Sequence, residues 1–205
     1  MIKGLKICGI SDPKTLNYIL NHRHKPSMIG FITNYEKSKR FIEYEKLQHL
    51  INIDKKDVNF VSVLVRPNDE ILERIKNLNF DYYQLYDVDP KRTEEIKSKY
   101  KIKIITAITV SIKDDVTKYK KYSDISDVIL FDSKGYHKSE SFDHNLLNDV
   151  PDEMDKMIAG NIQIDDIHNF KNKNFMIDLS GALEDENGKK DISKIDKLLN
   201  LSAKI

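Results

Sequence analysis

Eight short apolar runs, separated by lysine-rich amphipathic stretches, predict an α/β protein: a (β/α)8 TIM barrel forming a single compact domain over residues 1–205. Two further observations favour it. The runs are nearly continuous in hydrophobicity, as in parallel strands covered on both faces, whereas a one-sided antiparallel sheet alternates. A length of 205 residues, 40% hydrophobic and 33% charged, suffices for one sizeable core and is short for two ordinary domains. A doubly wound open sheet has the same local alternation and is the competing architecture.

The first strand is LKICGI (5–10), and Asp12-Pro13 behind it is a helix start: a side-chain acceptor for the first turn, then a residue whose φ is already helical. SMIGFIT (27–33) and FVSVLV (60–65) are the second and third strands, and Asn68 opens a helix over DEILERIKNL. YYQLYD (82–87) is the fourth, followed by Asp89-Pro90 before KRTEEIKSKY. KIITAITV (103–110) and DVILFD (127–132) are the fifth and sixth. The helices after these two are the weakest, because 111–122 is polar with poor apolar spacing and 134–142 reads as loop. KMIAGN (156–161) and FMIDLS (175–180) complete the set, and Asp191 opens the last helix over ISKIDKLLNL. No linker or low-complexity tract interrupts the series.

Charge and cysteine usage exclude several function classes. Lysine plus arginine (34) nearly balances aspartate plus glutamate (33), so no overall field points to nucleic acid or to an anionic membrane, and neither is expected as a partner. Nowhere do about 18 apolar residues run together, and MIKGLKICGISDPKT lacks the apolar segment of a signal peptide, so a cytoplasmic protein is expected. Cys8 is the one cysteine, which excludes an intrachain disulfide and a clustered thiolate site. His22, His24, His49, His137, His144 and His168 fall mostly in predicted helices or loops, and no metal site is visible.

In a barrel of this kind the chemistry sits where the strands end. Gly9, Gly135, Gly160 and Gly181 fall at or just after predicted strands 1, 6, 7 and 8, where backbone can approach a ligand, although any βα loop uses glycine to turn. Cys8 is either a small core hydrophobe or, at the mouth, a nucleophile or base. Asp132 directly follows VILF. It is either a loop cap or a desolvated carboxyl with a raised pKa suited to donating a proton. Arg40, one of five arginines, carries a planar fork suited to carboxylate or phosphate, with a plain surface arginine as the alternative. IAGN and IDLSGALE end strands 7 and 8, where many barrels hold phosphate on backbone N–H groups.

KICGI (6–10) resembles the opening signature of phosphoribosylanthranilate isomerases, and further segments of that family's pattern follow in order: IGFI (29–32), SKRF (38–41), QL (84–85), ILFDS (129–133), FD (142–143), IAGN (158–161), IDLSGALE (177–184) and GKKD (188–191). The resemblance covers essentially the whole chain. It implies a (β/α)8 barrel without cofactor that converts N-(5-phosphoribosyl)anthranilate to the 1-deoxyribulose 5-phosphate derivative, a step of tryptophan biosynthesis. By the same resemblance Cys8 is the general base and Asp132 the general acid, and Arg40 holds the anthranilate carboxylate. The backbone around Gly160, Asn161, Ser180, Gly181 and Ala182 holds the phosphate, and Asp178 matches a family aspartate near the site. The expected partner is thus a small phosphorylated molecule, with the protein a monomer or homodimer.

The sequence departs from the family at several points. The glycine-rich loop after strand 6 is GYHKSESFDH here, keeping Gly135, Phe142 and Asp143 but losing most glycines and a tryptophan. QLHG becomes QLYD, which puts Tyr86 where the family has histidine; AGGL becomes AGNI, with Asn161 still able to adopt left-handed geometry. SSGVE becomes SGALE, with the glycine one place away. Two alternatives stand beside the isomerase: another sugar-phosphate isomerase or epimerase, and a catalytically silent barrel that binds a phosphorylated ligand.

Overall fold

A computed structural model describes residues 3–133 and 141–204. Eight parallel strands close a barrel in the order of the sequence, β1 Gly4–Cys8, β2 Met28–Ile32, β3 Asn59–Val65, β4 Tyr82–Tyr86, β5 Lys103–Val110, β6 Val128–Ser133, β7 Lys156–Ile158 and β8 Met176–Leu179. Closure is direct: β8 pairs with β1, Leu5 opposite Ile177 and Lys6 opposite Asp178. That pairing excludes the doubly wound open sheet.

The near-continuous hydrophobicity of the runs has its cause in two cores that share each strand. Side chains alternate across a strand. Leu5, Ile7, Ile29, Phe31, Phe60 and Leu64 point outward into the layer between sheet and helices. Met28, Val61, Val63, Ile105, Leu130 and Met157 point inward and fill the barrel. Both sets are buried, and each fully buried aliphatic side chain contributes about 1.5–3 kcal/mol.

All four helix-start signals cap a helix. Asp12 accepts from the Thr15 N–H at 2.8 Å before α1 (Pro13–Asn21), and Asn68 from Ile71 before α3 (Asp69–Ile75). Asp89 accepts from Arg92 before α4 (Pro90–Tyr100), and Asp191 from Ser193 and Lys194 before α6 (Ile192–Ser202). The second crossover helix, α2 (Tyr44–Ile51), follows Glu43, which makes no side-chain cap, so it lacks a start signal. The regular alternation fails where the sequence is weakest. After β5 there is only α5 (Lys113–Thr117) and a 3-10 turn; among the described residues the sixth and seventh crossovers carry 3-10 turns at His144–Leu147 and Ile164–Phe170 and no α-helix. Asp, Asn, His, Phe and β-branched residues dominate those segments, all of lower helix propensity.

The last two strands end earlier than their apolar runs do. Ala159, Gly160 and Asn161 leave β7, and Ser180 leaves β8, so these residues form the mouth and not the wall. Residues 33–43 fold across the same end, pinned by a parallel bridge between Ile32 and Phe41, and this carries Arg40 over β1.

Candidate active site

Alternation decides which side chains reach the mouth. On β1 the outward pair Leu5 and Ile7 leaves Lys6 and Cys8 facing in; β6 presents Asp132 and β4 presents Gln84 and Tyr86 by the same rule. The register of the closing seam sets Lys6 beside Asp178, and their Nζ and Oδ2 lie 2.6 Å apart with both side chains almost fully buried. Gly30 of β2 supplies the space: a Cβ there would lie 2.8 Å from Cys8 Sγ and 3.1 Å from Lys6 Nζ. Ser180 continues the seam, its hydroxyl donating to the Cys8 carbonyl at 3.0 Å.

The groups have displaced acidities with separate causes. Burial pushes the Cys8 thiol up, and the Lys6 ammonium beside it pulls back only part of the way, leaving a neutral thiol at neutral pH. Burial draws the Lys6 ammonium down, but Asp178 and Cys8 together, through charge and hydrogen bonding, more than offset it, so Lys6 stays charged. Asp178 is itself pushed up by burial against the pull of Lys6, Lys190 and Arg40, and its Oδ1 is buried with no partner among the described residues. Asp132 is pushed up to about 6, chiefly by desolvation, with a hydrogen bond from the Tyr86 hydroxyl at 2.8 Å as the principal restraint.

The loops bring charge and backbone to the same mouth. Arg40 grips Glu184 through two donors, Nε to Oε1 and Nη2 to Oε2 at 2.9 Å, a planar two-point match of fork to carboxylate. Lys190 donates to the same Oε1 of Glu184 at 3.0 Å and to the Ser180 carbonyl at 2.8 Å. Arg40 crosses so close to β1 that a Cβ on Gly9, at φ +80°, would sit 2.4 Å from its Cδ; any larger residue fails on both counts. At β7, Gly160 (φ +98°) and Asn161 (φ +52°) turn the backbone in two successive left-handed steps, so Asn161 adopts the expected geometry. Gly181–Leu183 forms a 3-10 turn, whose first N–H groups have no acceptor within the turn.

These elements enclose one cavity of about 730 Å³. Cys8, Asp132 and Asp178 face it from the barrel, and Arg40 closes one side. Gly160, Asn161, Ser180, Gly181 and Ala182 form a backbone-rich stretch of its lining. Ile32, Val63 and Val65 make an apolar wall, with Tyr35 and Tyr86 beside it. Cys8, Arg40, Asp132, Asp178, Gly160, Asn161, Ser180, Gly181 and Ala182 thus line one pocket, Gly9 sits behind Arg40 outside its lining, and Gly135 lies outside the described residues. Four others were visible only as letters of motifs. Lys6, Glu184 and Lys190 organise the site, and Tyr86, set apart only as a departure, touches Asp132. A lysine two places before Cys8 in an otherwise apolar strand was the available sign of an inward charge. From the eroded loop, Phe142 packs edge-on against His144 and Asp143 caps the 3-10 turn, so both retained residues have structural work. Among the described residues no group of three or more His, Cys, Asp or Glu side chains is placed to hold a metal ion, and no helix is long and apolar enough to cross a membrane.

Known proteins resemble this chain along nearly its whole length. The family profile described as N-(5'phosphoribosyl)anthranilate (PRA) isomerase matches residues 5–201. The N-(5'-phosphoribosyl)anthranilate isomerase of Campylobacter jejuni is 34% identical over 203 residues, covering 95% of this chain and 96% of the relative. That of Agrobacterium fabrum is 30% identical over 212 residues, covering 98% and 95%. Among solved structures, phosphoribosyl anthranilate isomerase from Thermotoga maritima superposes with a TM-score of 0.86 at 24% identity, both chains covered completely (100%). A phosphoribosyl anthranilate isomerase in complex with reduced 1-(o-carboxyphenylamino)-1-deoxyribulose 5-phosphate gives 0.84 at 23%, again over 100% of each chain. From its first strand to its last helix, therefore, this chain belongs to the N-(5'-phosphoribosyl)anthranilate isomerase family.

Proposed function

We propose that the chain converts N-(5-phosphoribosyl)anthranilate to 1-(2-carboxyphenylamino)-1-deoxyribulose 5-phosphate, with Asp132 as general acid and Cys8 as general base. The activity and the division of roles follow from the family resemblance; the observation that supports a pair of proton-transfer groups is that Cys8 and Asp132 enter one cavity from β1 and β6, on different sides of the ring of strands. Asp132 gives its proton to the furanose ring oxygen, the bond from that oxygen to C1 breaks, and the anilino nitrogen lone pair forms the Schiff base. Cys8 then takes the C2 proton, leaving an enolamine. Loss of the C2 hydroxyl proton and protonation at C1 give the ketone, so the reaction is an isomerisation without net gain or loss of atoms.

The two ends of the cavity suit the two ends of that substrate. The apolar wall of Ile32, Val63 and Val65 fits an aromatic ring, whose carboxylate meets the N–H groups of Arg40 not committed to Glu184. The backbone turns at Gly160–Asn161 and Gly181–Ala182 offer N–H groups to the phosphate. Asp178 Oδ1, buried without a partner among the described residues, is an acceptor for a substrate hydroxyl.

The free protein holds the reacting pair in the opposite ionisation states, a neutral thiol with a carboxyl that titrates near 6. The productive pair, thiolate with carboxylic acid, is therefore a minor population of the free protein. Steady-state kinetics test the assignment. Cys8→Ser and Asp132→Asn each lower kcat by about 10²–10⁴-fold with the fold intact, the usual worth of one proton-transfer group. Unchanged kinetics in either variant refutes that residue's role.

A further inference from the structure

We infer that Tyr86 is a positioning residue for the proton-transfer step, holding the Asp132 carboxyl so that the oxygen carrying the acid proton faces the substrate. This rests on Asp132 being the general acid. Tyr86 is the last residue of β4, on the inward side of the strand, and its hydroxyl donates to Asp132 Oδ2 at 2.8 Å across the barrel mouth. The same hydroxyl accepts from Gln84 Nε2 at 3.2 Å, so a donor two residues back on the same strand fixes the direction in which the phenol points. Gln84 is buried, which makes this a relay anchored in the barrel interior: amide to phenol to carboxyl.

Two consequences follow for Asp132. A carboxyl that already accepts a hydrogen bond at Oδ2 carries its proton on Oδ1, so the phenol chooses which oxygen is the acid. When that proton leaves, the same bond is charge-assisted and stabilises the carboxylate that remains, so the phenol also strengthens the acid. Burial keeps the Tyr86 hydroxyl protonated, and it acts as a donor throughout. Among the described residues, the other groups that face Asp132 are Asp178 from β8 and Lys6 from β1, opposite in sign, with the Ser133 N–H on its own strand. Thr109 lies beside it on β5, and the residues that follow β7, Ala159 and Gly160, are not ionisable. The phenol is the direct side-chain donor in this set, and its removal is read most sharply at Asp132.

The experiment is to titrate the Asp132 carboxyl by 13C NMR in aspartate-labelled protein, assigned by its loss in Asp132→Asn, alongside kcat and KM for wild type, Tyr86→Phe and Tyr86→His. Tyr86→Phe is expected to raise the Asp132 titration point by about one pH unit, the typical effect of losing a donor to a carboxylate, and to lower kcat about 10–100-fold while KM changes less than about threefold. Tyr86→His, which keeps a ring N–H donor, is expected to recover most of both and serves in its own right if the phenylalanine variant folds poorly. A Tyr86→Phe protein with an unmoved Asp132 titration point and unchanged kcat overturns the inference. A fully active Asp132→Asn protein overturns instead the reading of Asp132 as the acid, and the titration then still reports whether the phenol controls the carboxyl.

Discussion

Asp132 stands where a carboxylate lowers stability and where a proton donor is needed. Its pKa of about 6 in the folded protein lies above the value near 4 of an unfolded aspartate. The sign follows directly: folding favours the protonated form, so the penalty is absent below about pH 4 and complete above about pH 7. Asp132→Asn removes the charge and keeps an acceptor for Tyr86. Its expected melting temperature is therefore higher than wild type by about 2–5 °C at pH 8 and equal to it at pH 4, after allowance for the partly exposed carboxyl. Calorimetry at the two pH values measures it; a variant less stable at pH 8, or equally stabilised at both, contradicts the account. A gain in stability with loss of turnover is what a site built for function implies. Arg40 is the complementary case, since Glu184 fixes it before any substrate binds, and ordering its long side chain adds little to the cost of binding.

At the scale of the element, the seam between β1 and β8 closes the barrel and builds half of the site in one act. The register that pairs Lys6 with Asp178 also levels Cys8 with Ser180, so a slip of one residue turns the charge pair and the thiol out of the barrel together. Single and double substitutions separate the pair from its surroundings. Lys6→Met leaves a buried carboxylate unpaired and is expected to cost about 3–5 kcal/mol of unfolding free energy, whereas Lys6→Met with Asp178→Leu costs markedly less because no charge is stranded. Urea unfolding measures both; a double variant as unstable as the single one contradicts the reading. The helices divide similarly in what the sequence displays. Where a side chain caps the first turn, as at Asp12 and Asp89, the boundary is written locally in the chain. α2 has no such cap, and tertiary packing of Leu47, Leu50 and Ile51 on the barrel decides its place.

Across the whole molecule, the strands, their order and the side of the barrel that carries the chemistry were legible because each rests on short-range pattern. Apolar runs identify strands, and a parallel barrel puts function at their C-terminal ends. Cys8, Asp132 and the turns at Gly160 and Gly181 lie at those ends and were found there. Pairings between distant parts of the chain were not legible. Lys6 and Asp178 are 172 residues apart and Arg40 and Glu184 are 144 apart, and only closure of the barrel shows that each is half of a pair. The substitution at Tyr86 was legible as a departure, but its contact with Asp132, 46 residues on, is a property of the fold.

The claim that joins these scales is that the cavity isomerises phosphoribosylanthranilate by acid and base at Asp132 and Cys8. Purified protein added to N-(5-phosphoribosyl)anthranilate, generated in the cuvette from anthranilate and phosphoribosyl pyrophosphate by the preceding transferase, tests it through the loss of substrate fluorescence. The account predicts decay well above the uncatalysed rate for the native protein and a return close to that rate for Asp132→Asn. Well-folded protein that leaves the decay unaccelerated contradicts it.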